Sequence, residues 1–158
     1  MLGLTSADAI AEGTLQKIER TGEFVIGYRT DSLPLSFRDG RGQPAGYSVD
    51  LCQRIGKGVQ QHFADESIKV KFVPVSSDER ISAVVDGTID IECGATTITL
   101  SRQERVDFSL PTFVTGGSVA SLRESGIQTI TDLDGKRVAV AKGTTTEQQL
   151  RTFLSDNW

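Results

Sequence analysis

The spacing of apolar residues changes several times along this chain, and each change marks an element. Leu15 and Ile18 followed by Gly22 predict a short helix over Thr14–Arg20 with a glycine stop. Phe24–Tyr28 is a compact apolar run suited to a buried parallel strand. Asp39-Gly40-Arg41-Gly42-Gln43-Pro44 is turn chemistry, so its flanks should form a hairpin-like excursion. Val49, Cys52, Ile55, Val59 and Phe63 then recur at helical spacing, despite two internal glycines. Ile68, Val70 and Phe72 alternate into Val73-Pro74-Val75, a second strand. Ser76–Asp86 reads as a helix with Ile81, Val84 and Val85 inward and Gly87 as its stop. A third strand, Ile89–Cys93, opens into the Gly94–Thr99 loop, and a short helix begins at Ser101. Beyond Pro111 come an extended Thr112–Leu122 stretch, a turn-and-cap segment at Thr131–Gly135, a strand at Val138–Ala141 and a helix from Thr145 to Leu154.

Strands alternating with helices imply βαβ units, an α/β fold and a mainly parallel sheet. Such sheets bind ligands beyond the carboxyl ends of their strands, so the strand-to-helix loops matter most. Arg29 follows the first strand. Ser76-Ser77-Asp78-Glu79-Arg80 follows the second: a capping box with an arginine in the first turn. Thr96 and Thr97 follow the third, leading to Ser101-Arg102-Gln103-Glu104, a second such box. Gly143-Thr144-Thr145-Thr146-Glu147 follows the last strand, where the glycine lets the backbone approach and a third helix start is capped. Helix N-termini receive anions, and a guanidinium offers a planar fork to a carboxylate. Arginine in a first turn opposes the helix dipole, so its presence at Arg80 and Arg102 points to something anionic held nearby. The implied ligand is small and carries carboxylates.

Composition narrows the alternatives. The 158 residues carry a net charge of −4, which leaves no basic face for nucleic acid. No apolar run approaches the ~20 residues that cross a bilayer. The N-terminal Met1–Asp8 has neither a basic region nor a long apolar stretch, so it is not expected to be an intact signal peptide. Cys52 and Cys93 lack metal-site spacing, and composition leaves a disulfide and two buried thiols equally open. The single histidine, His62, is expected on the surface, which removes most hydrolase and metalloenzyme chemistries. No cofactor and no metal is expected.

Three stretches also resemble a known family: Tyr47-Ser48-Val49-Asp50-Leu51, Asp86-Gly87-Thr88 through Cys93-Gly94-Ala95-Thr96-Thr97, and Arg102 with Val106-Asp107-Phe108-Ser109. They are similar to family 3 bacterial extracellular solute-binding proteins, and within it to the glutamate/aspartate-binding proteins of ABC transporters. The similarity runs from about Thr14 to Leu154. It implies a type II periplasmic-binding-protein clamp of two α/β lobes, with residues 1–113 forming the first. Residues 114–158 would supply the hinge crossing and the beginning of an incomplete second lobe.

The resemblance also implies roles. Arg102 matches the arginine that grips an α-carboxylate, helped by Thr97 and by Thr144, with Thr145 beside it in the candidate set. Arg29, Ser77 and Arg80 match residues that receive a side-chain carboxylate. Ala95 stands where some relatives carry serine, which implies one hydroxyl contact fewer. The expected function is delivery of glutamate, aspartate or their amides to an ABC-transporter permease, in the periplasm after removal of a leader. A ligand-sensing domain of a membrane receptor and a periplasmic cyclohexadienyl dehydratase share the architecture, but these loops offer no credible catalytic base. An oxidising compartment favours pairing of Cys52 with Cys93, since the strand ending in Cys93 should lie against the Cys52 helix. With only one strand and one helix in the second lobe, weak ligand binding and self-association through an open strand edge are expected.

Overall fold

The computed structural model describes residues 12–157, so the leader expectation for Met1–Asp8 lies outside the described residues. Helix α1 spans Thr14–Thr21 and ends at Gly22, whose left-handed φ of 65° lets its N–H reach back to the Ile18 carbonyl. Ile18 is buried and Leu15 is exposed, and Lys17 ties the helix to the Gly87 carbonyl and to Asp90.

Strand β1, Glu23–Tyr28, is the centre of a three-stranded parallel sheet in the order β5-β1-β6, with β5 at Lys69–Pro74 and β6 at Ile91–Cys93. Its central position explains its continuous apolar run: Phe24, Ile26 and Tyr28 are buried. Burying a side chain such as Ile26 stabilises the fold by about 2 kcal/mol. Gly27 leaves room for Ile89, whose Cδ1 would lie 2.3 Å from any Cβ placed there.

Helix α2, Tyr47–His62, packs on the sheet through Val49, Cys52 and Gly56, with Val59 and Phe63 partly buried behind them. The expected Ile55 is instead 44% exposed. The inward stripe steps from Cys52 to Gly56, and Ile55 is rotated about 100° off it. Gly56 fits the seam because a Cβ would come within 2.9 Å of Val70, so the glycine allows close approach of helix to sheet. His62 is exposed and meets Phe63 edge-to-face.

The expected excursion is a small antiparallel sheet, β2 (Asp31–Ser32), β3 (Ser36–Arg38) and β4 (Pro44–Ala45). Its turn is tied by the Asp39 carboxylate, which accepts from the N–H groups of Arg41 and Gln43.

Two helices depart from the sequence expectation, one in length and one in its start and cap. Helix α3 covers Arg80–Val85 after a turn, and Val85 is 51% exposed where burial was expected. Helix α4 covers Leu100–Gln103 and is capped by Thr99, whose hydroxyl accepts from the Arg102 N–H at 3.3 Å, instead of by Ser101.

The C-terminal part holds short 3-10 turns at Arg123–Ser125 and Ile130–Leu133, then helix α5, Thr145–Asn157. Val138–Ala141 does not form the expected strand, because no neighbour among the described residues pairs with it. Val138 and Val140 are correspondingly exposed.

Candidate functional site

Pro74 and Cys93 both pair in register with Tyr28, so all three parallel strands end level at one edge of the sheet. The segments carrying Arg29, Ser77–Arg80 and Gly94–Thr97 therefore leave from the same edge. That common edge is what brings the candidate residues together.

Arg29 is fixed first. Its N–H donates to Ser36 Oγ at 2.9 Å, and that hydroxyl donates back to the Arg29 carbonyl at 3.2 Å. The antiparallel excursion thus clamps the backbone that delivers this arginine. Its guanidinium donates to Asp31 at 2.6 Å and is largely buried, while Asp31 stays exposed.

Arg80 opens α3 and is only 3% exposed. Its Nε donates to the Thr96 hydroxyl at 2.5 Å, one terminal nitrogen bonds the Ser77 carbonyl, and the other reaches the Gly143 carbonyl at 3.4 Å. The capping box before it is formed as expected: Ser76 Oγ accepts from the Glu79 N–H and donates to the Glu79 carboxylate. Burial holds Arg80 below its ordinary value, a shift opposed by nearby Glu92 and reinforced by Arg102 and Arg29.

Arg102 donates to the Thr97 carbonyl at 2.8 Å and to the Gly143 carbonyl at 3.5 Å. Two arginines from separate helices therefore converge on one carbonyl oxygen. Gly143 is held there by the third capping box, in which its N–H donates to Glu147 at 2.8 Å and the Glu147 N–H donates to Thr144 Oγ1 at 3.1 Å. Only glycine suits this place: φ is 72°, and a Cβ would come within 2.0 Å of Asp78. Thr145, opening α5, lies 3.1 Å hydroxyl to hydroxyl from Thr97. Lys142 pairs with Asp78 at 3.4 Å. Thr144 itself donates to Ala141 and serves as the cap, and Ala95 is exposed at the rim.

Helices α3 and α4 have six and four residues, too short to bring much macrodipole to this cluster. Its positive character comes from the guanidiniums of Arg29, Arg80 and Arg102. A cluster of that kind, with threonine hydroxyls and a backbone carbonyl at hand, can receive carboxylates and disfavours cationic groups.

Three participants were not among the expected site residues: Glu92, Thr96 and Gly143. Glu92 lies close enough to feel all three arginines, and burial pushes its carboxyl above the ordinary range; a hydrogen bond with Thr96 and the arginine charges pull it back. The sequence carried only a weak signal, an acid at the penultimate position of the third strand, which also holds Asp90. Beneath the cluster, Cys52 and Cys93 form the expected disulfide, tying α2 to the end of β6.

Comparison with known proteins adds three observations. Residues 24–156 match the family described as bacterial extracellular solute-binding proteins, family 3. The chain is 39% identical over 157 residues to an L-glutamate/L-aspartate-binding protein of Pseudomonas aeruginosa, covering 97% of this chain and 52% of that one. It is 36% identical over 154 residues to a glutamate/aspartate import solute-binding protein of Salmonella typhimurium, covering 93% and 51%. Among solved structures, an ancestral amino-acid-binding protein described as a precursor of cyclohexadienyl dehydratase superposes with a TM-score of 0.80 at 34% identity, covering 90% of this chain and 62% of that one. The chain thus spans about half the length of the curated relatives it matches.

Proposed function

The chain belongs to the bacterial extracellular solute-binding proteins of family 3, with the type II periplasmic-binding-protein fold, and from that premise we propose that it binds an amino acid, glutamate or aspartate in preference to their amides, outside the cytoplasm, for an ABC-type importer. The observation that carries this reading is the convergence of Arg80 and Arg102 on the Gly143 carbonyl. An oxygen held by two guanidiniums marks a point where carboxylate oxygens are recognised by charge-assisted bonds. Arg102, with Thr97 beside it, is the anchor for the α-carboxylate. Arg80 and Arg29, deeper and flanked by Ser77, receive the side-chain carboxylate. Thr145 meets Thr97 hydroxyl to hydroxyl, Thr144 caps the helix that carries it, and Ala95 supplies no hydroxyl.

The proposal is for binding without turnover. The cluster offers guanidiniums and hydroxyls, and its one buried carboxylate, Glu92, bonds Thr96 and lies in the field of the arginines. Periplasmic location and a membrane permease as partner follow from the same reading. The experiment is a calorimetric series with glutamate, aspartate, glutamine and asparagine, run beside a turnover assay with prephenate and arogenate. Saturable heat from the acids with no turnover supports the binding role. Conversion of either cyclohexadienyl substrate would replace it with the enzymatic reading.

A further inference from the structure

Glu92 sits in β6 opposite Gly27 of the central strand, one residue before the disulfide cysteine. One of its carboxylate oxygens, Oε1, is buried without a hydrogen-bond partner. That oxygen lies over Gly94, where a Cβ would stand 2.2 Å from it and 2.9 Å from Cγ of Arg29. The bare glycine therefore lets the acid rest against the stem of an arginine. A buried carboxylate that serves only the fold is normally fully hydrogen-bonded, because an unpaired oxygen is costly. This one is met by Thr96 alone, and Thr96 in turn accepts from Arg80.

The charged groups that face it are cationic: Arg29 after β1, Arg80 from α3 and Arg102 from α4. Of the acids around that cluster, the exposed Asp31 pairs with Arg29, and Asp78, which faces Arg80, pairs with Lys142.

Resting on the amino-acid reading above, we infer that Glu92 is a selectivity-determining residue, a resident carboxylate whose charge sets how strongly the arginine cluster prefers an acidic amino acid over its amide. When ionised, Glu92 offsets one of three positive charges and opposes a second carboxylate arriving with the ligand. With a proton bound, it leaves the arginines to the ligand. The ligand's ammonium and α-carboxylate feel the same change in acid and amide alike, so they cancel from the ratio of the two affinities. Only the side-chain carboxylate remains in that ratio.

Burial shifts the ionisation of Glu92 to higher pH than that of an exposed glutamate. The side chain of free glutamate, by contrast, is ionised above about pH 4.3. Between these two ionisations the ligand's charge is constant while that of Glu92 changes. Binding of the acid should raise the Glu92 pKa further, so glutamate is bound with proton uptake and more tightly as pH falls.

The test is titration of glutamate against glutamine, and aspartate against asparagine, at pH 5 to 8 with the wild-type chain and with Glu92→Gln. A coupling of one pKa unit corresponds to a roughly tenfold change in affinity. The wild-type preference for the acid should therefore shrink as pH rises through the Glu92 ionisation, by roughly tenfold for each unit by which the bound acid raises that pKa. In Glu92→Gln it should stay high and flat. A wild-type preference that ignores pH, or a variant with the same slope as the wild type, overturns the inference and leaves the binding reading intact. Absence of binding by any of the four overturns both. Should the variant fail to fold, the proton count on wild-type glutamate binding, from heats in buffers of different ionisation enthalpy, decides: uptake supports the role of Glu92 and its absence refutes it.

Discussion

The hydroxyls of Thr97 and Thr145 lie 3.1 Å apart although 48 residues separate them in the chain. One belongs to the loop after β6 and the other to the first residue of α5. The contact joins the sheet edge to the C-terminal helix at the mouth of the arginine cluster. If these hydroxyls line a ligand site, Thr97→Val should weaken amino-acid binding by about 1 kcal/mol, the net worth of one hydrogen bond. Unfolding free energy should change by less than ~0.5 kcal/mol, since Thr97 is exposed. A stability loss without an affinity loss would reassign the pair to packing.

Arg80 and Arg29 should separate acids from amides. Arg29→Ala and Arg80→Ala are each expected to reduce binding of glutamate or aspartate far more than that of glutamine or asparagine, by direct titration. Equal losses would show that these arginines do not read the ligand side chain. Arg80→Ala should also lower fold stability, because the buried guanidinium bonds Thr96 and the Ser77 and Gly143 carbonyls. Denaturant midpoints check this.

Much of this arrangement was legible in the sequence. The helices at Thr14 and Tyr47, the parallel strands and the antiparallel excursion follow from periodicity and turn residues. Arg29, Arg80 and Arg102 stood out because strand-to-helix loops carried them. What periodicity missed has physical causes. Gly56 replaces Ile55 in the α2 seam because close approach, which only the packed structure reveals, outweighs hydrophobicity. Thr99 caps α4 in place of Ser101, because the helix starts at Leu100 and Ser101 falls inside its first turn. Val138–Ala141 has strand composition, but a strand exists only with a neighbour to pair with. Glu92 alternates with Asp90 in the third strand and is not singled out by the sequence; its meaning depends on three arginines brought from distant segments.

The Cys52–Cys93 link closes a separation of 41 residues. Removing it by Cys52→Ser with Cys93→Ser should cost ~2–4 kcal/mol on the chain-entropy model. Chemical denaturation with and without reductant provides the measure, and thiol counting under denaturing, non-reducing conditions should find no free thiol. A reduced protein as stable as the oxidised one would contradict a stabilising role.

The C-terminal part should make this chain self-associate. Residues 138–141 run without a ladder partner among the described residues, and Val114 is 87% exposed nearby in sequence to exposed Leu110 and Leu122. Open backbone groups and apolar surface together favour pairing with a second copy. Light scattering over a concentration series should show mass rising above the 17.1 kDa monomer. A monomer at every concentration would contradict this.

The central claim is that the convergent arginines hold a ligand carboxylate, with Arg102 as anchor. The most direct measurement is calorimetric titration of glutamate into the wild-type chain and into Arg102→Ala, with circular dichroism confirming that both are folded. The account predicts saturable wild-type binding of one glutamate per chain and a loss of ~2–5 kcal/mol in the variant, as expected when a desolvated carboxylate loses its partner. Equal affinity in the two proteins, or a wild-type chain that takes up no amino acid, would contradict it.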